Sequence, residues 1–278
     1  MPTFATPAPV AAVVEVAGAQ VRVVASDRTD TVVLIEPIDA ASRKDIKVAE
    51  RTTVDLSDGK LSVKTTVSGD RAGSVAITID LPTGSGLAAY LAHSDVHADG
   101  ALGACDLHMA SGRARLDHVE AWQANIASGE VEIGHVAGRA EVDGGAFTLR
   151  IGDVEGTMRL SNSGGRVWIG HAHADLDLSS ASCDFDVDHA HGSVTAGTAS
   201  GAIRIGRMTS GTAKLTNGSG DIEVGIAEGV SAHLDVKSER GAVRDSVSAQ
   251  GNPDPADTEV SVHARTRHGD VVIRRTAR

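Results

Sequence analysis

The chain has 278 residues, enough for one large domain or two small ones with a sizeable core. Its 31 glycines, against one tyrosine, two tryptophans and three phenylalanines, point to a narrow interior of Val, Ile, Leu and Ala, and apolar residues recur too regularly for a disordered chain. The net charge of −11 argues against a nucleic-acid binder, because phosphate recognition needs a basic surface, and Cys105 and Cys183 alone form neither a disulfide framework nor a zinc-finger spacing.

The opening "MPTFATPAPVAAVVEVAG" has no basic segment ahead of its apolar part, so it does not read as a signal peptide. No stretch approaches the ~18 consecutive apolar residues of a membrane span, and the expected location is the cytoplasm. Strand-like runs follow at Val13–Val16, Val21–Val24, Val32–Ile35, Thr53–Leu56, Leu61–Val67 and Val75–Leu81. The polar "IDAASRKDIKVAERT" between them reads as a loop or a short helix. Residues 1–90 are expected to form an irregular β cap, or a separate small β domain, and residues 91–278 a series of repeats. "AQGNPDPADTE", Ala249–Glu259, reads as an excursion before the last strands.

The repeats are visible by eye. "ASGEVEIGHVAG" from Ala127, "GGAFTLRIGDVEG" from Gly144 and "NSGGRVWIGHAHA" from Asn162 are followed by "ASCDFDVDHAHG", "ASGAIRIGRMTSG" and "NGSGDIEVGIAEG". Degenerate copies lie at "ASGRARLDHVEA", "RGAVRDS" and "RHGDVVIRR". Each unit holds two alternating runs separated by glycine corners, so one unit is strand, corner, strand, corner. An antiparallel meander and a parallel solenoid both fit this pattern. The register at a step of 18 favours the solenoid: Ile133, Ile151, Ile169, Val187 and Ile205 form one inward column. Outward, Glu132 steps to Arg150, Trp168, Asp186 and Arg204, Glu141 to Arg159 and Asp177, and Arg166 to Asp184, so opposite charges fall on neighbours. The expected fold is therefore all-β, a single-chain parallel β-solenoid (β-helix) with ~18-residue coils and an irregular N-terminal β cap.

The "SGxVxIGxVxG" units, the opening "FATPAPVAAVVEVAGAQVRVVASDRTDTVVL", the mid-chain "ITIDLPTGSGL" and the ending "VSVHARTRHGDVVIRR" resemble the bacterial putative-adhesin family. These are β-strand-repeat proteins of a domain-of-unknown-function class, common in actinobacteria. The resemblance covers almost the whole chain and implies a β-solenoid fold. It implies no catalytic residues. Similar rack-like β domains occur beside membrane-stress signalling proteins.

One corner column collects metal-ligand chemistry. His118 steps to His135, one position short of the period, and Asp153, His171, His189 and Arg207 follow at intervals of 18. Two residues on lie Glu120, Ala137, Glu155, His173, His191 and Thr209. Ala172 and Ala190 take inward positions, so His171, His173, His189 and His191 should share an outward patch, with Asp153 and Glu155 one coil before and Asp188 beside it. Imidazoles and carboxylates suit a surface Zn or Ni ion. The same patch could instead sense pH, since stacked imidazoles repel once protonated, or be a solvent-facing echo of the repeat. Asp184, Asp186 and Asp188 share one face, as the carboxylates of carbohydrate-active β-helix enzymes do, but Arg166 and Arg204 are placed to pair with them. Trp168, the large aromatic of the outward columns, is the candidate partner contact. The expected function is a non-enzymatic scaffold binding a protein partner along a flat side face, with no cofactor beyond that surface ion. The alternatives are a carbohydrate-active β-helix enzyme and metal or pH sensing through the histidines. A homo-oligomer stays open.

Overall fold

The computed structural model describes residues 1–65, 73–247 and 259–277. About three quarters of them are strand, and they fall into two compact units, Met1–Gly138 and Arg139–Arg278. Among the described residues no helix is long and apolar enough to cross a membrane.

The first unit holds β1 (Thr3–Ala5), β2 (Ala11–Ala17), β3 (Ala19–Ser26), β4 (Asp30–Pro37), α1 (Arg43–Arg51), β5 (Thr53–Ser57), β6 (Lys60–Lys64), β7 (Val75–Pro82) and the long β8 (Gly86–Val136). The polar segment left open between loop and helix is the helix α1, capped by Ser42, whose side chain accepts a hydrogen bond from the Asp45 backbone N–H. Among the described residues antiparallel pairing is confined to the start: β1 with β4, β4 with β7, β5 with β6. β2 and β3 pair in parallel with β6 and β7 on one side and with β8 on the other. Their inward residues Ala12, Val14, Val21 and Val23 are consequently buried on both flanks. The run read as Leu61–Val67 is strand to Lys64, and its last two residues lie outside the described ones.

Among the described residues the second unit is parallel throughout. It comprises β9 (Ala140–Val154), β10 (Met158–Ala172), β11 (Leu176–Ala190), β12 (Val194–Ser200), β13 (Ile203–Met208), β14 (Gly211–Ser219), β15 (Ile222–Ala227), β16 (Ser231–Arg240), β17 (Val243–Asp245), β18 (Glu259–His268) and β19 (Val271–Thr276). The expected register is the observed one: Ile151 faces Ile169, Ile169 faces Val187, Val187 faces Ile205. The charged columns hold too, with Arg159 beside Asp177, Arg166 beside Asp184 and Asp186 beside Arg204. A meander would have reversed alternate strands, so the solenoid reading is correct for these rungs.

A stack built in sequence order would place Val243 beside Ile222. Instead Ile222 pairs with Val271, and Val271 pairs with Val243. The last strands, β18 and β19, thus insert between the rung of β14 and β15 and the rung of β16 and β17. Composition explains the order. Val260, Val262, Ala264, Val271 and Ile273 are apolar, and insertion buries them on both sides. β16 alternates Leu234 and Val236 with His233, Asp235 and Lys237, and all three residues of β17 are exposed. The more polar rung is left at the end, where a solenoid needs a face that tolerates water. Of the Ala249–Glu259 excursion, all but Glu259 lies outside the described residues.

Inside the second unit runs a column that the periodicity analysis overlooked. Asn162, Ser180, Thr198, Asn217 and Thr266 stack in register shortly before a corner. Asn162, Thr198, Asn217 and Thr266 are buried, and each bonds main chain at its corner: Asn162 Nδ2 donates to Gly164 O (2.9 Å), Thr198 Oγ1 to Ser200 O (2.7 Å), Asn217 Nδ2 to Gly201 O (2.6 Å), Thr266 Oγ1 to Gly220 O (3.1 Å). A corner interrupts the regular ladder, and these side chains satisfy the backbone groups it would strand.

Candidate functional site

Residues 149–154, 167–172, 185–190 and 203–208 end at one corner of the second unit. Val154, Ala172, Ala190 and Met208 are buried there, so strand alternation turns residues 171, 173, 189 and 191 outward. The four histidines meet as the register predicts. His171 and His189 stack with ring centroids 4.8 Å apart and planes 8° apart. His173 and His191 stack at 5.4 Å and 13°, and His171 lies 6.4 Å from His173. On the preceding rung Asp153 faces His171, its Oδ1 3.1 Å from the ring Nδ1. Glu155 lies just beyond Asp153 in the chain, and Arg207 faces His189 on the following rung. His191 Nδ1 is 2.8 Å from Thr209 Oγ1. Partial desolvation, and then its neighbours His173, His189, His171 and Arg207, hold His191 below the ordinary histidine range, so at neutral pH its ring is uncharged.

Stacked rings carry their lone pairs in parallel planes. Among the described residues no three His, Cys, Asp or Glu side chains are already gathered around a point that could hold a metal ion. In the first unit His118 and His135 lie 5.5 Å apart, tilted by 38°, with Asp117 Oδ1 3.0 Å from His118 Nδ1.

Trp168 is half-buried on its outward column. Its Nε1 donates to Asp188 Oδ2 at 3.1 Å, and its ring lies across Gly170. Asp188 also takes Arg204 Nη1 at 3.2 Å, while Asp186 takes the same nitrogen at 2.5 Å. Asp188 is therefore committed to the tryptophan and the arginine. Asp184 pairs with Arg166 (3.8 Å) and accepts the Ala202 N–H; Asp177 pairs with Arg159 (3.4 Å) and Asp175 accepts the Ser193 N–H. These carboxylates are partners in ladders.

Cys105 and Cys183 are both buried. Burial pushes the Cys105 thiol up to about 12 and the Cys183 thiol up to about 11. Thiolate is the nucleophilic form, so neither is a nucleophile near neutrality. Neither thiol should react with Ellman's reagent at about pH 8 in the native protein, and both should react after unfolding in guanidinium. Rapid titration of a native thiol would contradict the burial.

One outward pair escaped the sequence reading. Tyr90 and His108 stack at 4.8 Å and 6°, with Tyr90 42% exposed, beside Ala92 and Ala110. They are one period apart, but Tyr90 precedes the first Ser-Gly unit, where the repeat is not legible.

Parallel rungs, buried polar corners and outward side-chain ladders define a β-strand-repeat protein of the solenoid type. The chain belongs to the Toastrack DUF4097 family, whose pattern matches residues 12–274. Among solved structures it is similar to a putative adhesin from Bacteroides fragilis, 12% identical over 99% of this chain and 95% of that one, with a TM-score of 0.39. A putative adhesin from Parabacteroides merdae (10% identical, 99% and 95% covered, TM-score 0.30) and a putative cell adhesion protein from Clostridium sporogenes (9%, 99% and 98%, 0.21) are similar in the same way. No curated protein matches at a significant level.

Proposed function

We propose that the protein is a non-enzymatic binding scaffold that holds a protein partner along a side face of its parallel stack, with Trp168 in the contact. The supporting observation is the fixed state of that indole. Asp188 holds its N–H and Gly170 lies under its ring, so little side-chain freedom remains to be lost on binding. A rigid aromatic ringed by polar side chains, here Asp186, Asp188 and Arg204, is the usual composition of an energetic centre in an interface. The carboxylates an enzyme would need are each engaged by an arginine, an indole or a backbone N–H, which favours the scaffold over polysaccharide cleavage.

The test is affinity capture on the immobilised wild type and on Trp168→Ala, followed by titration of the recovered protein against both. The expected result is one reproducible partner, at least about tenfold weaker on the variant, with the melting temperature nearly unchanged. A partner held equally by both would remove Trp168 from the contact. Cleavage of an acidic polysaccharide by the wild type, lost in Asp186→Asn, would replace the scaffold reading with the enzymatic one.

A further inference from the structure

The four histidines occupy the corners of a rough rectangle, 4.8 and 5.4 Å across the rungs and 6.4 Å along one strand. Two of them, on one diagonal, each have a polar neighbour beside Nδ1. The Asp153 carboxylate lies 3.1 Å from His171 Nδ1, within ion-pair distance. Thr209 Oγ1 lies 3.4 Å from Ala190 O, to which its hydroxyl donates, leaving it to accept from His191 Nδ1 at 2.8 Å. His191 then presents Nε2 as a lone-pair nitrogen. A carboxylate or hydroxyl on the far nitrogen is the usual support of a ligating imidazole. The carboxylates of Asp153 and Glu155 stand on the adjoining rung, where a cation is favoured. Arg207, on the opposite rung, turns its guanidinium to Ala277 O at 2.9 Å.

We infer that His171, His173, His189 and His191 bind one divalent transition-metal ion, Ni(II) or Cu(II), across two adjacent rungs. Parallel backbones place all four Cβ atoms on one side of the sheet, and binding requires the outward rings to rotate about their side-chain bonds until one nitrogen of each faces a common centre. Four imidazole rings in a rectangular array suit the tetragonal geometry of Cu(II) and Ni(II) better than tetrahedral Zn(II). The backbone is preordered, but the rings must leave their stacks, so the affinity is set in the micromolar range.

The experiment is calorimetric titration of the full chain with NiCl2 and CuCl2 at about pH 7.5, with ZnCl2 as the comparison. Variants are His171→Ala with His189→Ala, His173→Ala with His191→Ala, and Asp153→Asn; melting temperatures confirm that each is folded. The expected result is one ion per chain, at least about 30-fold weaker binding in either double variant and about tenfold weaker binding in Asp153→Asn. Nitrogen hyperfine structure in the Cu(II) electron paramagnetic resonance spectrum should be lost with the double variants. Unchanged affinity and stoichiometry in both double variants would overturn the site and assign uptake to other histidines of the chain's twelve. Binding lost in the double variants but tightest for Zn(II) would overturn the tetragonal assignment.

Discussion

Gly220→Ala is expected to destabilise the second unit by at least about 3 kcal/mol, because the change combines backbone strain with a clash. Gly220 has φ +139°, a conformation available to glycine and strained by about 1–3 kcal/mol for other residues. A Cβ there would stand 2.0 Å from Gly201 O on the neighbouring rung. Relief requires the rungs to separate at the corner where Gly220 N–H donates to His268 O (2.7 Å) and Gly201 N–H to Ser219 O (3.0 Å). For a chain of this size that loss lowers the melting temperature by on the order of 10 °C. Thermal melting followed by circular dichroism measures it. A drop smaller than about 1 kcal/mol would mean that the corner widens freely and that the close approach has no structural consequence.

Asn217→Leu should cost nearly as much, about 3 kcal/mol, at the same corner and for a different reason. Asn217 is 3% exposed; its Nδ2 donates to Gly201 O at 2.6 Å and its Oδ1 accepts the Ser219 N–H at 3.0 Å. Leucine fills a similar volume but strands both main-chain groups, at about 1–3 kcal/mol each. Asn217→Thr is the control. Thr198 and Thr266 occupy the rungs on either side and bond main chain through their hydroxyls, so threonine should recover most of the loss. Equal destabilisation by leucine and threonine would show that shape, rather than hydrogen bonding, decides the position. The two losses should also fall short of adding in the Gly220→Ala, Asn217→Leu double variant, since both act on Gly201 O.

The histidine patch was legible because repetition is a local property. A fixed period, with side chains alternating in and out, is enough to place His171 over His189 and His173 over His191. The Asp186–Arg204 and Arg166–Asp184 pairs followed from the same step. The polar column was equally present, as Asn, Ser or Thr shortly before successive corners of the second unit. It went unread because a search for apolar periodicity passes over a polar residue that points inward.

By itself, then, the sequence determined the fold class, the rung length, the inward and outward faces and the membership of each column, all of which depend on residues within one repeat of each other. Only the tertiary structure decided the order of the rungs. β18 and β19 are separated from their partners β14 and β15 by β16, β17 and the chain that follows them, a distance no local period contains. They insert because burying their apolar residues on both sides outweighs stacking in chain order. It also decided the finer chemistry. Whether Asp188 serves the histidines or Trp168, and which partner His191 Nδ1 takes, depends on side-chain directions across rungs, which the packing of neighbouring coils sets and a repeat alone leaves open.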